Sequence, residues 1–192
     1  GIEARRRDTP RFVKQMQLAM LERLKKAEGV SDVASAVPDL LATAREYVSK
    51  LQHGTVNAKE LVLRRHITKD PGEYSNNSVS AVVSQMIEEM GIPLVAGEMI
   101  EYILIDQSGK KQPFKAKPLA LYAFEDGYDV EKYTEFALKA VETLLLSFGY
   151  DMEALKRCFQ LPIRVKRGVR KPGKKSTTSG QFLSNDLAGL LR

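Results

Sequence analysis

Apolar residues recur at three- and four-residue steps in four stretches of the chain, and two shorter branched runs separate the last three of these stretches. In the first stretch Phe12, Val13, Met16, Met20, Leu24 and Ala27 fall on one helical face, with Thr9 the expected N-cap, Pro10 at the first helical position and Gly29 the stop. A second stretch begins near Ser31 and Asp32. Pro38 predicts a break in it, after which Leu40, Leu41, Ala44, Val48 and Leu51 turn inward until Gly54. The two helices are expected to pack antiparallel. Residues 61–67 are rich in branched side chains and bounded by polar turn formers, so they read as a partly buried strand that delivers Thr68, Lys69 and Tyr74 onto a loop.

The third helix places Val79, Val82, Val83, Met86, Ile87 and Met90 on one side, with Asn76, Asn77 and Ser78 as candidate caps and Gly91 at its end. Residues 97–105 then turn and extend as a second strand, and Gln107-Ser108-Gly109-Lys110 reads as a hairpin turn. Residues 111–127, with two prolines and several aromatics, fit irregular chain lying over the surface. Asp129 caps what should be the longest helix, in which Tyr133, Phe136, Ala137, Ala140, Val141, Leu144, Leu145 and Phe148 face in and Gly149 closes. That helix is the expected central pillar, followed by one or two more turns over Met152 to Cys158. The fold class expected is mainly α with a small β element, an α+β arrangement.

Composition adds a division of charge. The net charge of the 192 residues is +6, but from Phe159 onward eight Lys or Arg face the single Asp186, a balance of +7 that leaves −1 for the first 158 residues. Any nucleic-acid contact made by the body must therefore come from local clusters such as Arg5-Arg6-Arg7 and Arg64-Arg65 with Lys69. From Leu161 the chain turns to Arg, Lys, Gly, Pro, Ser and Thr, which bury too little apolar area to offset ordering entropy, so a disordered basic tail is expected as far as Gly180. The longest apolar run, Ala140 to Phe148, contains Glu142 and Thr143 and falls short of the roughly 18–20 residues of a membrane span. No secretory leader is visible, and the lone Cys158 excludes an internal disulfide and a multi-cysteine zinc cluster, so an intracellular, cytoplasmic setting is expected.

Several pieces carry a likeness in order and spacing. They are Gly1-Ile2-Glu3 followed by Arg6-Arg7-Asp8; residues 61–67 followed by Thr68-Lys69 and then Tyr74; Gly97, Ile100, Tyr102 and Ile103; and Tyr128-Asp129 leading into a helix that ends Phe148-Gly149-Tyr150. Over about residues 1–150 the chain resembles the thumb of family B DNA polymerases, most closely the archaeal-type enzymes. Many relatives carry a Pro-His-Val step after the tyrosine, where this chain has Val79-Ser80-Ala81. The resemblance implies a palm-docking segment at residues 1–8, a thumb domain at 9–158, a flexible basic linker at 159–183 and a terminal peptide at 184–192. It further implies primer–template duplex as ligand, a larger polymerase subunit bearing exonuclease and palm as partner, a nucleoid-associated cytoplasmic location, and Mg²⁺ in the assembled polymerase but in no site of this chain.

Arg6, Arg7, Arg65, Thr68, Lys69 and Tyr74 are the DNA-binding candidates. Guanidinium makes charge-assisted, often bidentate bonds to phosphate oxygens, and a hydroxyl or backbone N–H adds fixed position. An arbitrary Arg pair is more often solvated surface; the resemblance reverses that preference, because this face of the family's thumb holds duplex product. Tyr74 could donate to a phosphate, stack, or sit in the core with its hydroxyl at the rim. His66, with Asp70 four residues on, reads as a surface hydrogen-bonded pair rather than catalytic machinery, since no motif pairs a Ser or Cys nucleophile with it. Two-metal phosphoryl transfer needs carboxylates that hold ions about 3.5–4 Å apart. The family supplies them from the palm in an Asp-containing motif, and no Asp-Thr-Asp occurs here. The chain is therefore expected to be inactive alone, as the small subunit of a split polymerase or a fragment of one. The alternative is a non-catalytic DNA- or clamp-binding adaptor that keeps the thumb fold, for which the apolar surface around Ile2 and Met16 to Met20 should be covered or polar.

The last residues form a separate feature. Leu187, Leu190 and Leu191 stand three, six and seven places after Ser184, the spacing of the sliding-clamp peptide at the end of many archaeal-type polymerases, although a glutamine normally leads that peptide and an aromatic residue usually ends it. One helical turn would press these three leucines into a groove, tethered by a flexible linker that raises effective concentration.

Overall fold

The structure is a computed structural model that describes residues 2–25, 27–75, 78–106 and 115–162. Outside these lie Asn76 and Asn77, the hairpin turn expected at Gln107 to Lys110, most of the basic linker, and the terminal peptide with Leu187, Leu190 and Leu191. Five helices and a three-stranded antiparallel sheet make up the described chain: α1 (Arg11–Leu24), α2 (Val30–Gln52), β1 (Leu63–His66), α3 (Val79–Glu89), β2 (Met99–Leu104), β3 (Ala116–Pro118), α4 (Val130–Leu145) and α5 (Met152–Cys158). The class is thus mainly helical with a small sheet. Among the described residues no helix is long and apolar enough to cross a membrane.

Helices α1, α2 and α4 share one core. Val13, Met16, Met20, Leu40, Leu51, Tyr133, Leu138 and Leu145 are all essentially inaccessible. Phe12 near the start of α1 packs on Tyr47 near the end of α2, ring centroids 5.2 Å apart, so those two ends are neighbours, as an antiparallel pair requires. The expected break at Pro38 is absent, and α2 runs through it as the longest helix of the fold, longer than α4. Proline removes one helical N–H bond, but Ala34 and Pro38 both lie on an exposed face, where water can serve the carbonyl left over. Pro10 itself is the N-cap residue of α1, one place later than the expected cap Thr9, and the helix begins at Arg11. Asp129 caps α4 by accepting from the Lys132 amide at 2.8 Å, and Gly149 closes the following turn at φ 85°.

The sheet order is β1-β2-β3. Leu63 faces Tyr102, and Arg64 faces Glu101 with a 2.6 Å ion pair across the ladder. Strand β3 corrects the reading of 111–127 as irregular: Ala116 pairs with Leu104 and Pro118 with Tyr102, at a sheet edge where proline's missing donor is tolerated. The sheet is hydrogen-bonded to α4 where the Leu104 amide donates to the Tyr133 hydroxyl at 3.0 Å and the Asp129 amide to the Leu104 carbonyl at 2.9 Å. Burial pushes the Tyr133 hydroxyl pKa well above its ordinary value, so it stays a neutral partner for that amide.

The amino-terminal segment is fastened as firmly. Gln17, fully buried in α1, donates from Nε2 to Glu3 Oε2 and to the Ala140 carbonyl, both at 2.9 Å, and accepts the Ala4 amide at 2.7 Å. Thr143 of α4 adds a 2.8 Å bond to Glu3 Oε1.

Candidate nucleic-acid interface

Strand β1 ends at His66 and the chain leaves it through Thr68 and Lys69 into a short 3₁₀ turn, Pro71–Glu73, that begins with a buried proline. The turn folds Tyr74 back, and the Thr68 amide donates to its hydroxyl at 3.2 Å. Two further bonds brace the loop from β2's side: His66 Nδ1 lies 2.8 Å from the Gly97 carbonyl, and the Ala96 amide donates to Asp70 Oδ1 at 2.7 Å. Gly97 holds φ 96°, a conformation that only glycine adopts readily, while its amide donates to the Ile67 carbonyl at 2.8 Å. His66 and Asp70 are therefore not each other's partners; both clamp the loop to the turn ahead of β2.

The result is a concavity of about 250 Å³ walled by Arg65, His66, Thr68, Lys69, Tyr74, Ser75, Ser78 and Ser80. Four of the six candidate residues meet there. Lys69 is exposed and has no bonded partner among the described residues, so its ammonium is free for an anion. Burial raises the pKa of the Tyr102 hydroxyl, and the nearby charge of Arg65 partly opposes the rise.

Arg6 stands beside this wall rather than in it. Its guanidinium grips Asp8 with two bonds, 3.0 and 2.8 Å, and lines a neighbouring depression with Glu3, Thr9, Phe136 and Lys139. The Arg6 bond holds the Asp8 carboxyl below the usual carboxylate range, and Arg65 adds a further pull on the same carboxyl. Arg6, Asp8 and Arg65 thus form one electrostatic group. Arg7 is exposed and lines neither depression. Leu187, Leu190 and Leu191 lie outside the described residues.

Sequence reasoning missed the three serines and His66 as wall residues. The signal available was the clustering of Ser75, Ser78 and Ser80 right after Tyr74, a density of hydroxyls unusual for a capping segment alone. Ser78 does cap α3, accepting the Ala81 amide at 3.2 Å.

The family model for DNA polymerase family B matches residues 1–146. The chain belongs to DNA polymerase family B. Among curated relatives, the DNA polymerase of Thermococcus kodakarensis is 32% identical over 158 residues, covering 81% of this chain and 9% of that protein. The DNA polymerase of Thermococcus aggregans is 31% identical over 160 residues, covering 81% of this chain and 8% of that protein. In fold, the chain is similar to the family B DNA polymerase of the hyperthermophilic archaeon Pyrobaculum calidifontis, with a TM-score of 0.61 and 20% identity over 75% of this chain and 18% of that one. The family B chain described here thus spans less than a fifth of the relatives it matches. Among its described residues no three His, Cys, Asp or Glu side chains converge to hold a metal ion.

Proposed function

We propose that this chain is the thumb of a family B DNA polymerase and grips the backbone of primer–template duplex, while the metal-binding aspartates lie outside these 192 residues, on a larger exonuclease- and palm-bearing part. The observation that carries the reading is the meeting of Arg65, Thr68, Lys69 and Tyr74 in one small polar concavity. Its volume is below the roughly 300–1,000 Å³ usual for small-molecule sites, and its wall of cations and hydroxyls suits an oxyanion better than an apolar ligand. Phosphate contacts position without reading sequence, as an enzyme that copies any template requires. Arg6 and Arg7 extend the basic strip along residues 1–8.

The test is duplex binding against salt. Lys69→Ala should lower affinity and flatten the log–log salt slope by about 0.9, the change for one lost phosphate contact. An unchanged slope and affinity would remove the concavity from the interface. Addition of a larger chain carrying exonuclease and palm should restore processive synthesis, with Mg²⁺ bound on that chain.

A second reading, a DNA- or clamp-binding adaptor with the same fold and no catalytic partner, draws support from one observation. Met16 and Met20 are buried in this chain's own core, while Leu18 between them is half exposed and Ile2 half-buried. The adaptor would bind duplex equally but would not stimulate any palm-bearing chain.

A further inference from the structure

We propose that a groove on the other face of β1 binds single-stranded DNA, with Phe124 as the platform on which one unpaired base stacks. Successive side chains of a strand point to opposite faces. Arg65 accordingly lines the concavity around Lys69, while Arg64 lines a second and larger one of about 740 Å³. Val56, Val62, Ile103 and Leu119 make its apolar part, and its only charged lining residues are Lys59 and Arg64. Lys59 is exposed, and its ammonium has no bonded partner among the described residues. Arg64 spends Nε on Glu101, which leaves its two terminal nitrogens for an anion. Charge complementarity therefore calls for a ligand that is anionic and apolar at once.

Phe124 narrows the class. It is 89% exposed, more than any other large apolar side chain among the described residues. The turn that carries it is braced: the Ala123 amide donates to Asp126 Oδ2 at 2.8 Å, Lys117 bonds the same carboxylate, and the Tyr122 hydroxyl donates to the Gly127 carbonyl at 3.0 Å. The ring is thus held out in water against the hydrophobic effect, which would favour folding it away. A flat ring beside two cations is the pairing that single strands use, because every base has a face to stack and the phosphates follow the positive groove. Paired bases in a duplex already stack on one another and offer no such face. A protein partner suits the site less well, since its aromatic anchors sit at the packed centre of an apolar patch, whereas Phe124 stands between exposed Ala123 and exposed Glu125.

The full chain contains no tryptophan, so Phe124→Trp places a single emitter on the platform. A short thymidine oligonucleotide should quench that emission, and a blunt duplex of the same length should leave it unchanged. Phe124→Ala should weaken oligonucleotide binding about tenfold, as for one lost base stack, with duplex binding unaltered. In the Phe124→Trp background, Lys59→Ala should flatten the log–log salt slope of the quenching midpoint by about 0.7, the single-strand value for one phosphate. Unquenched emission would give the groove to a protein contact and overturn the proposal. Equal quenching by oligonucleotide and duplex, or wild-type oligonucleotide affinity in Phe124→Ala, would overturn it as well. None of these outcomes touches the duplex grip, which stands or falls on Lys69→Ala.

Discussion

The buried side-chain amide of Gln17 donates to the carbonyl of Ala140 at 2.9 Å, joining α1 to α4 across 123 positions of sequence. The same amide group holds Glu3 and Ala4, so one side chain fixes the amino-terminal segment against two helices.

Gln17→Leu should therefore cost more than its volume suggests. It strands the part-buried Ala4 amide and takes one bond each from the Glu3 carboxylate and the Ala140 carbonyl, and a buried group left unpaired costs about 1–3 kcal/mol. Urea denaturation should show a lower midpoint with an unchanged slope, a total loss of about 2–4 kcal/mol.

Glu3 offers a pH signature of the same junction. Burial alone would raise its carboxyl pKa, but the bonds from Gln17 and Thr143 outweigh burial and hold it below the ordinary value. A depressed folded pKa stabilises the fold above the unfolded value and the contribution is lost as pH falls through the folded one. NMR titration should place the Glu3 midpoint below that of an exposed glutamate. In Gln17→Leu the midpoint should move upward, because burial persists while its strongest opposing bond is gone.

Pro38 interrupts the hydrogen bonding of α2 at an exposed position. Pro38→Ala should restore one helical bond and raise stability by about 1–3 kcal/mol, seen as a higher denaturation midpoint. An unchanged midpoint would mean that the ring stiffens the unfolded chain as much as it weakens the helix.

Asp8 neutralises charge where phosphate is expected, gripping Arg6 and facing Arg65. Exposed ion pairs contribute little to stability, so Asp8→Asn should leave the fold intact. Duplex affinity should rise about threefold or more, with a steeper salt dependence by up to about 0.9 if Arg6 then takes a phosphate. Fluorescence anisotropy at several salt concentrations measures both.

What was legible in the sequence was what is encoded locally. Asp129 and Gly149 bracket the last long helix because a cap and a left-handed stop act within one turn. Thr68, Lys69 and Tyr74 come together through the three-residue 3₁₀ turn Pro71–Glu73, which their spacing already contains. Strand β3 was not legible: three residues ending in proline show no alternation, and only pairing with Leu104 and Tyr102 makes them a strand. Pro38 misled because a break is a matter of what the facing carbonyl can find, and exposure is decided by tertiary packing. Gln17 reads as one polar interruption between Met16 and Met20; its three partners lie at positions 3, 4 and 140, beyond any local pattern.

The bond from Leu104 to Tyr133 has a mechanical corollary. Through it β2 is tied to α4, and through Gln17 and Thr143 α4 is tied to the turn at Glu3. A continuous line of side-chain bonds thus leads from the first residues to the sheet whose outer strand opens into the hollow around Lys69.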